Sequence, residues 1–336
     1  MADPHGLATP AVQRAGWWFK RMAPWGLAVL VLALVARQAR TVDWPAVWQA
    51  LQLLPATGLA VAAALALLSY GLYAGFDLFG RRLTGHSLSV ARTLGTAAIS
   101  YAFNLNFGAW VGGIGLRLRL YSRWGLAVPT VLQVVACSMA TNWLGYLWVG
   151  GAVLLWAPPQ LPADWMLPHA GLRAVGLAMV TAVLGYLALC RFSRQRQWTW
   201  RTHTLALPGG RLAALQALAG GANWLLIGAI AWCLLGGRID YPSVLGTMLL
   251  AAVAGVVTHV PANLGVLEAV VMATLGGRLP AHELLAAMLA YRAAYYLLPL
   301  ALALPAYGLS EAAARRAGGT VGQGKKHLED PEVKPT

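Results

Sequence analysis

Two clusters of polar residues and glycines stand inside otherwise apolar sequence, and they are where this chain could do chemistry. The first is Asn104-Leu-Asn106-Phe-Gly108-Ala-Trp-Val-Gly112-Gly113-Ile-Gly115-Leu-Arg117-Leu-Arg119-Leu-Tyr121. Each glycine weakens a helix by about 1 kcal/mol relative to alanine, so this run predicts a turn or a close backbone approach. It does not fit a phosphate loop, because no Lys-Ser/Thr follows and no strand precedes it. Guanidinium groups pair bidentately with phosphate, which makes Arg117 and Arg119 candidates for gathering a lipid headgroup. The plainer alternatives are snorkelling anchors for the arginines and close helix packing for the glycines, with Asn as interhelical glue.

The second cluster is His259-Val-Pro261-Ala-Asn263-Leu-Gly265-Val-Leu-Glu268. Pro261 removes a helix hydrogen bond and Gly265 permits a turn, so a break is expected here. Glu268 is the carboxylate placed deepest in apolar sequence, and Arg292, in Tyr291-Arg292-Ala-Ala-Tyr295-Tyr296-Leu-Leu-Pro299, is its expected partner. An ionisable group inside a membrane is a functional hypothesis by default. A structural ion pair that fixes this cluster to the last span weighs about evenly against a transport role.

Other polar residues read more plainly. Asp77, near the end of a span, is expected to be a terminal anchor, and Asn142 and Asn223 interhelical donors. The seven histidines are scattered without metal-ligand spacing, and Cys137, Cys190 and Cys233 lie in apolar spans as small core residues. No Ser/His/Asp or acidic motif stands in a loop large enough for a soluble active site. No catalytic residue, metal or cofactor is therefore expected, and the chain does not read as an enzyme.

The elements that must position these clusters are membrane spans. Of 336 residues, 59% are apolar and 11% charged, against roughly 45–50% and 25% in soluble domains, which excludes a soluble enzyme. A span needs about 20 mainly apolar residues. Stretches at 23–36, 56–79, 127–157, 171–190, 212–235 and 283–309 qualify, while 93–116 and 243–277 are interrupted by Gly, Pro and Asn. The net charge of +14 sorts by loop. If both interrupted stretches dip in and return, every basic residue except Arg37, Arg40, Arg173, Arg238, Arg278 and the intramembrane Arg292 becomes cytoplasmic, as the positive-inside rule requires. No recurrent dyad alternation supports a β-barrel.

The fold class expected is all-α: a polytopic integral membrane protein of about six full spans plus two re-entrant hairpins in an inverted repeat, with both termini cytoplasmic. Each hairpin carries an Asn-x-Gly, at Asn106 to Gly108 and at Asn263 to Gly265. In secondary transporters, broken helices at matching positions of inverted halves mark a midplane substrate site. Residues 1–16 and 311–336 read as disordered tails around a domain at 17–310, and 44–54 as an amphipathic helix at the outer interface.

These motifs resemble those of the lysylphosphatidylglycerol synthase transmembrane-region family: Asn-Phe-Gly, then Gly-Gly-Ile-Gly-Leu-Arg-x-Arg-Leu-Tyr, then Pro-x-x-Leu-Gly-Val-x-Glu, then Tyr-Arg-x-x-Tyr-Tyr-Leu-x-Pro. The likeness extends over about residues 20–310, nearest the stand-alone inner-membrane branch. It implies a flippase-like fold in the bacterial inner membrane and translocation of phospholipid. By motif, the family's positions here are Gly112, Gly113, Gly115, Arg117, Tyr121, Pro261, Gly265, Glu268 and Arg292. Ala262 and Asn263 stand where many members have glycine, and only about 26 residues follow the last span, so lysyl-lipid synthesis is not expected.

The expected path residues are therefore Asn104, Asn106, Gly112, Gly113, Gly115, Arg117, Arg119, Tyr121, His259, Pro261, Asn263, Gly265, Glu268 and Arg292. The expected partners are anionic phospholipids and not nucleic acid. The runner-up is a non-transporting scaffold or regulatory partner of a lipid-modifying enzyme.

Overall fold

A computed structural model describes residues 43–159, 169–195, 197–200 and 203–326. The expected first span at 23–36, the tail at 1–16 and most of the loop at 158–170 lie outside them. The helices follow the apolar sequence. α1 (Trp44–Gln52) is capped by Asp43, which accepts from the Ala46 amide at 3.1 Å, and has a proline in its first turn. It buries Val47 and exposes Trp44 and Trp48, as an amphipathic interfacial helix would. α2 (Ala56–Ala74) and α3 (Phe76–Thr84) run on from one another through Gly75 and end on a left-handed Gly85.

α4 (Val90–Phe107), capped by Ser89, stops at Gly108, whose φ of 88° no other residue type adopts cheaply. The chain returns through a π-helical turn, Ala109–Gly115, into α5 (Leu116–Arg123). Beyond it come α6 (Val128–Trp156) and α7 (His169–Phe192). A short antiparallel hairpin follows, β1 (Gln197–Trp200) with β2 (His203–Ala206), in register Gln197 to Ala206. Among the described residues this hairpin is a small exception to an otherwise helical chain, in keeping with the all-α expectation. Four residues per strand are too few to show a period in sequence.

α8 (Gly210–Leu234) leads to α9 (Tyr241–Thr258), capped by Asp240 with a proline in the first turn. A single 3-10 turn at Pro261–Asn263 breaks the chain before α10 (Val266–Leu275). α11 (Ala281–Arg292) continues through a π-helical turn, Ala293–Leu297, into α12 (Leu298–Lys326). The last helix thus runs past residue 311, where a disordered tail was expected. The local sequence Glu311-Ala-Ala-Ala-Arg-Arg-Ala is made of strong helix formers, and Glu311 is held by ion pairs. Residues 327–336 lie outside the described residues.

Among the described residues, five helices are long and apolar enough to cross a membrane: Ala56–Thr84, His169–Phe192, Gly210–Leu234, Tyr241–Thr258 and Ala281–Ala312. The set differs from the expected spans in two ways. It includes Tyr241–Thr258, the first arm of the second interrupted stretch, and omits the 29-residue α6, which carries no charge but is diluted by Gln133, Asn142 and glycines. α6 sits centrally. Gly145 lies directly on the backbone of Gly220 in α8, and Gly151 faces the Gly176 carbonyl of α7, so missing side chains let the helices touch. Trp148 and Trp224 lock the α6 to α8 seam by donating to the Ala217 and Asn142 carbonyls at 2.8 and 3.1 Å.

Candidate functional site: two hairpin tips closed by arginine

Both interrupted stretches fold back on themselves. In the first, the backbone of Gly112 rests on that of Asn104, and further down the Tyr121 hydroxyl donates to the Thr93 carbonyl at 3.3 Å. In the second, Gly255 faces the Asn263 side chain and the Thr247 and Thr274 hydroxyls meet at 2.9 Å. In each stretch the two contacts pair residues in opposite order, which defines antiparallel arms around a broken tip. A Cβ at Gly112 would strike the Asn104 main chain, so the first tip needs glycine on the facing arm, whereas one at Gly255 would meet the Asn263 side-chain amide, which would have to move.

An arginine closes each tip. Arg117 donates from Nε and Nη2 to the two carboxylate oxygens of Asp77, at 3.0 and 3.1 Å, and from Nη1 to the Gly113 carbonyl at 3.1 Å. Tyr121 adds a 2.8 Å bond to Asp77. This corrects two expectations. Arg117 is 3% exposed and fully engaged, so it is not a free headgroup ligand, and Asp77, at 0%, is its buried counter-ion rather than a terminal anchor. Packing explains the outcome: Arg117 and Tyr121, one helical turn apart, face the interior, while Arg119 faces outward. Arg119 pairs with Glu311 at 3.3 Å, and Arg123 pairs with Glu311 as well.

Arg292 closes the second tip from α11. Its Nε and Nη2 donate to Glu268 at 2.6 and 3.0 Å, and its Nη1 and Nη2 to the carbonyls of Ala262 and Asn263 at 2.7 and 2.8 Å. The backbone it holds is strained. His259, Ala262 and Asn263 have φ of 54°, 54° and 53°, and Gly265 has 76°. A left-handed conformation costs a non-glycine residue about 1–2 kcal/mol and persists only where its surroundings over-determine it. Arg292 does so at Ala262 and Asn263, whose carbonyls take two of its four hydrogen bonds. Glu268 also reaches back to accept from the Gly265 amide at 3.0 Å, capping α10. Pro261 opens the 3-10 turn, and His259 lies exposed with Nδ1 3.0 Å from the Val257 carbonyl.

The tips approach one another. Asn106 donates to the Ala102 carbonyl at 2.8 Å and to the Tyr296 carbonyl at 3.2 Å, joining the first hairpin to the helix that carries Arg292. The Asn104 amide covers Gly113, and Gly115 abuts the Trp110 carbonyl within the π turn.

Behind the tips lies a buried hydroxyl network that the sequence reading did not pick out. Tyr101 and Tyr295 share a 2.9 Å bond, and Ser69 bridges Tyr295 at 3.2 Å to the Asn223 Oδ1 at 2.7 Å. Tyr70 donates to the Tyr295 carbonyl at 3.0 Å, and the rings of Tyr73 and Tyr101 stack. Asn223 therefore accepts where a donor was expected. The signal for Asp77 was present in sequence: it is the one acidic residue of its span.

With this geometry established, comparison with known proteins gives the lineage. The model of the lysylphosphatidylglycerol synthase TM region matches residues 24–303. The chain belongs to this family. It is 39% identical over 298 residues to the inner membrane protein YbhN of Escherichia coli, covering 88% of this chain and 94% of that protein. It is also 32% identical over 292 residues to an uncharacterized protein of Synechocystis, covering 85% and 89%. As a member of this TM-region family with long apolar helices, it is a membrane protein.

Proposed function

We propose that this member of the lysylphosphatidylglycerol synthase TM-region family is a flippase-like transporter of the bacterial inner membrane that moves a phospholipid, or a related anionic amphiphile, between leaflets. It acts without a catalytic step, metal or cofactor. The observation that carries the reading is the pair of antiparallel, broken-tipped hairpins within a bundle of apolar helices, both held by the helical stretch that bonds Asn106 through the Tyr296 carbonyl and the second tip through Arg292. Broken backbone at membrane depth is tolerated where it is buried in protein or lines a wet cavity. In this reading the hairpins are re-entrant from opposite faces, both termini are cytoplasmic, and Arg119 stands at the cytoplasmic headgroup level. The inner-membrane location draws on the name of the E. coli relative.

The second reading, a non-transporting scaffold for a lipid-modifying enzyme, is favoured by the sealed Asp77–Arg117 pair, which a static protein would also contain. Reconstitution separates the two. Proteoliposomes are expected to move a headgroup-labelled anionic lipid faster than protein-free liposomes, and equal rates over a panel of anionic lipids would leave the scaffold. Cysteine labelling tests the topology: Arg123→Cys is expected to react from the cytoplasm, and reaction from the periplasm alone overturns the re-entrant hairpins.

A further inference from the structure

The carboxylate of Glu268 occupies what is, without it, an anion-binding site. One side of that site is the Arg292 guanidinium, which presents Nε at 2.6 Å and Nη2 at 3.0 Å. The other is the start of α10, where the Gly265 amide points at Oε2 from 3.0 Å. A helix N-terminus concentrates unpaired amides and the positive end of the backbone dipole, and a guanidinium matches two oxygens of one anion. The two therefore converge on a single pair of oxygens. The remaining donors of Arg292 are committed to the Ala262 and Asn263 carbonyls, which fix the guanidinium plane whether or not a carboxylate is present.

Unlike its counterpart at the first tip, this site has an opening. Arg292 is 11% and Glu268 18% exposed, with His259 and Leu264 exposed beside them, whereas Arg117 and Asp77 are 3% and 0%.

From this we infer that Glu268 is a tethered stand-in for an external anion: a phosphate or phosphodiester displaces its carboxylate from Arg292 and the Gly265 amide and takes the same contacts. The exchange breaks and forms no covalent bond and moves no proton. It substitutes one anion for another against the same donors, so Arg292 is never left unpaired. Because Glu268 also caps α10, its release loosens the strained tip at His259, Ala262 and Asn263 when the ligand arrives. The inference deepens the transport reading and rests on it only for the identity of the anion as a lipid phosphate.

The test is rescue of full-length protein in detergent, read as the thermal unfolding midpoint. Glu268→Ala is expected to unfold earlier than wild type and to regain stability with added inorganic phosphate or acetate, compared with chloride at equal ionic strength. Wild type, in which phosphate must first displace the tethered carboxylate, is expected to respond only at higher phosphate concentration than Glu268→Ala, and Glu268→Ala/Arg292→Ala is expected not to respond. No response of Glu268→Ala, or an equal response of all three proteins, overturns the inference. Should Glu268→Ala fail to accumulate, it is purified with phosphate throughout, and Glu268→Gln is measured in parallel. If phosphate rescues neither variant, the inference fails.

A parallel titration with phosphatidylglycerol in mixed micelles identifies the source of the anion. Stabilisation of Glu268→Ala at lower concentration than inorganic phosphate assigns a lipid headgroup, and stabilisation by inorganic phosphate alone assigns a free anion. Anion rescue without lipid movement in liposomes leaves the site standing and sinks the transport reading. Lipid movement without anion rescue does the reverse.

Discussion

Arg117 and Arg292 make nearly the same bonds in opposite circumstances. Each grips a carboxylate with two nitrogens and also donates to the backbone of a hairpin tip. In the first hairpin the arginine lies on the returning arm and the acid comes from an earlier helix. In the second the acid lies on the returning arm and the arginine comes from a later helix. Burial then separates them. Asp77 and Arg117 are shut away, with Tyr121 adding a second donor to the Oδ2 that Arg117 Nε already binds, while Glu268 and Arg292 stand partly open over a strained turn. The same chemical pair can thus be a fixed bolt or an exchangeable contact, and access decides which.

The largest expected effect breaks the sealed pair. Asp77→Ala leaves a buried unpaired guanidinium and should cost about 3–5 kcal/mol, visible as loss of folded protein. Small carboxylates should not restore it, because no path leads to the site. Replacing both partners, as Asp77→Leu/Arg117→Met, should recover much of the loss, since a buried ion pair often gives way to apolar packing without penalty. Rescue of Asp77→Ala by acetate would erase the distinction between the two clamps.

The facing glycines sharpen it further. Gly112→Ala drives a methyl group into the main chain of Asn104, which cannot yield, whereas Gly255→Ala meets a side-chain amide that can swing. Overpacking costs about 1–3 kcal/mol, with Gly112→Ala expected toward the upper end and Gly255→Ala toward the lower, by denaturant or thermal unfolding. Ala262→Gly should act in the opposite sense. Relief of a left-handed alanine is expected to stabilise by about 1 kcal/mol, and no gain would mean that the tip stores no strain at that residue.

The smallest effect lies at the open end of the second hairpin. There the Ser243 hydroxyl, the Ser243 amide and Arg278 hold the Asp240 carboxyl below its ordinary value of 3.8. A lowered folded value means that the contribution of Asp240 is fully present above the ordinary value and is lost as the pH falls through the folded one. Wild type should therefore lose stability on acidification across that window slightly more steeply than Asp240→Asn. Parallel acid curves for the two proteins would show that the cap adds nothing.

Much of this was legible in sequence, for reasons tied to particular residues. Pro261, Gly265 and the glycines from 108 to 115 announce breaks because each weakens a helix and they cluster, although close packing is the alternative for the glycines. Glu268 and Arg292 declare each other because both are charged residues set within apolar sequence. The Asp77–Arg117 pair was hidden by company. Arg117 sits in a series with Arg119 and Arg123 that looks like a row of headgroup anchors, and only the helical period separates the inward 117 and 121 from the outward 119. The tyrosine network was hidden for another reason: its members lie on three helices far apart in the chain, and aromatic residues in membrane helices carry no label for what their hydroxyls meet.

One feature of the last helical stretch ties the two hairpins together. From Ala281 to Ala312 the chain is helical throughout, with a π turn at Ala293–Leu297 and a proline at Pro305, the two features at which a helix flexes most easily. Near one end it holds the second tip through Arg292, and near the other it holds the returning arm of the first hairpin through Glu311. Those residues are separated by about 28 Å along a helix rising 1.5 Å per residue. A single rod therefore has a hand on each hairpin, so a tilt that slackens one grip changes the load on the other, and the two flexures are the joints at which such a seesaw would bend.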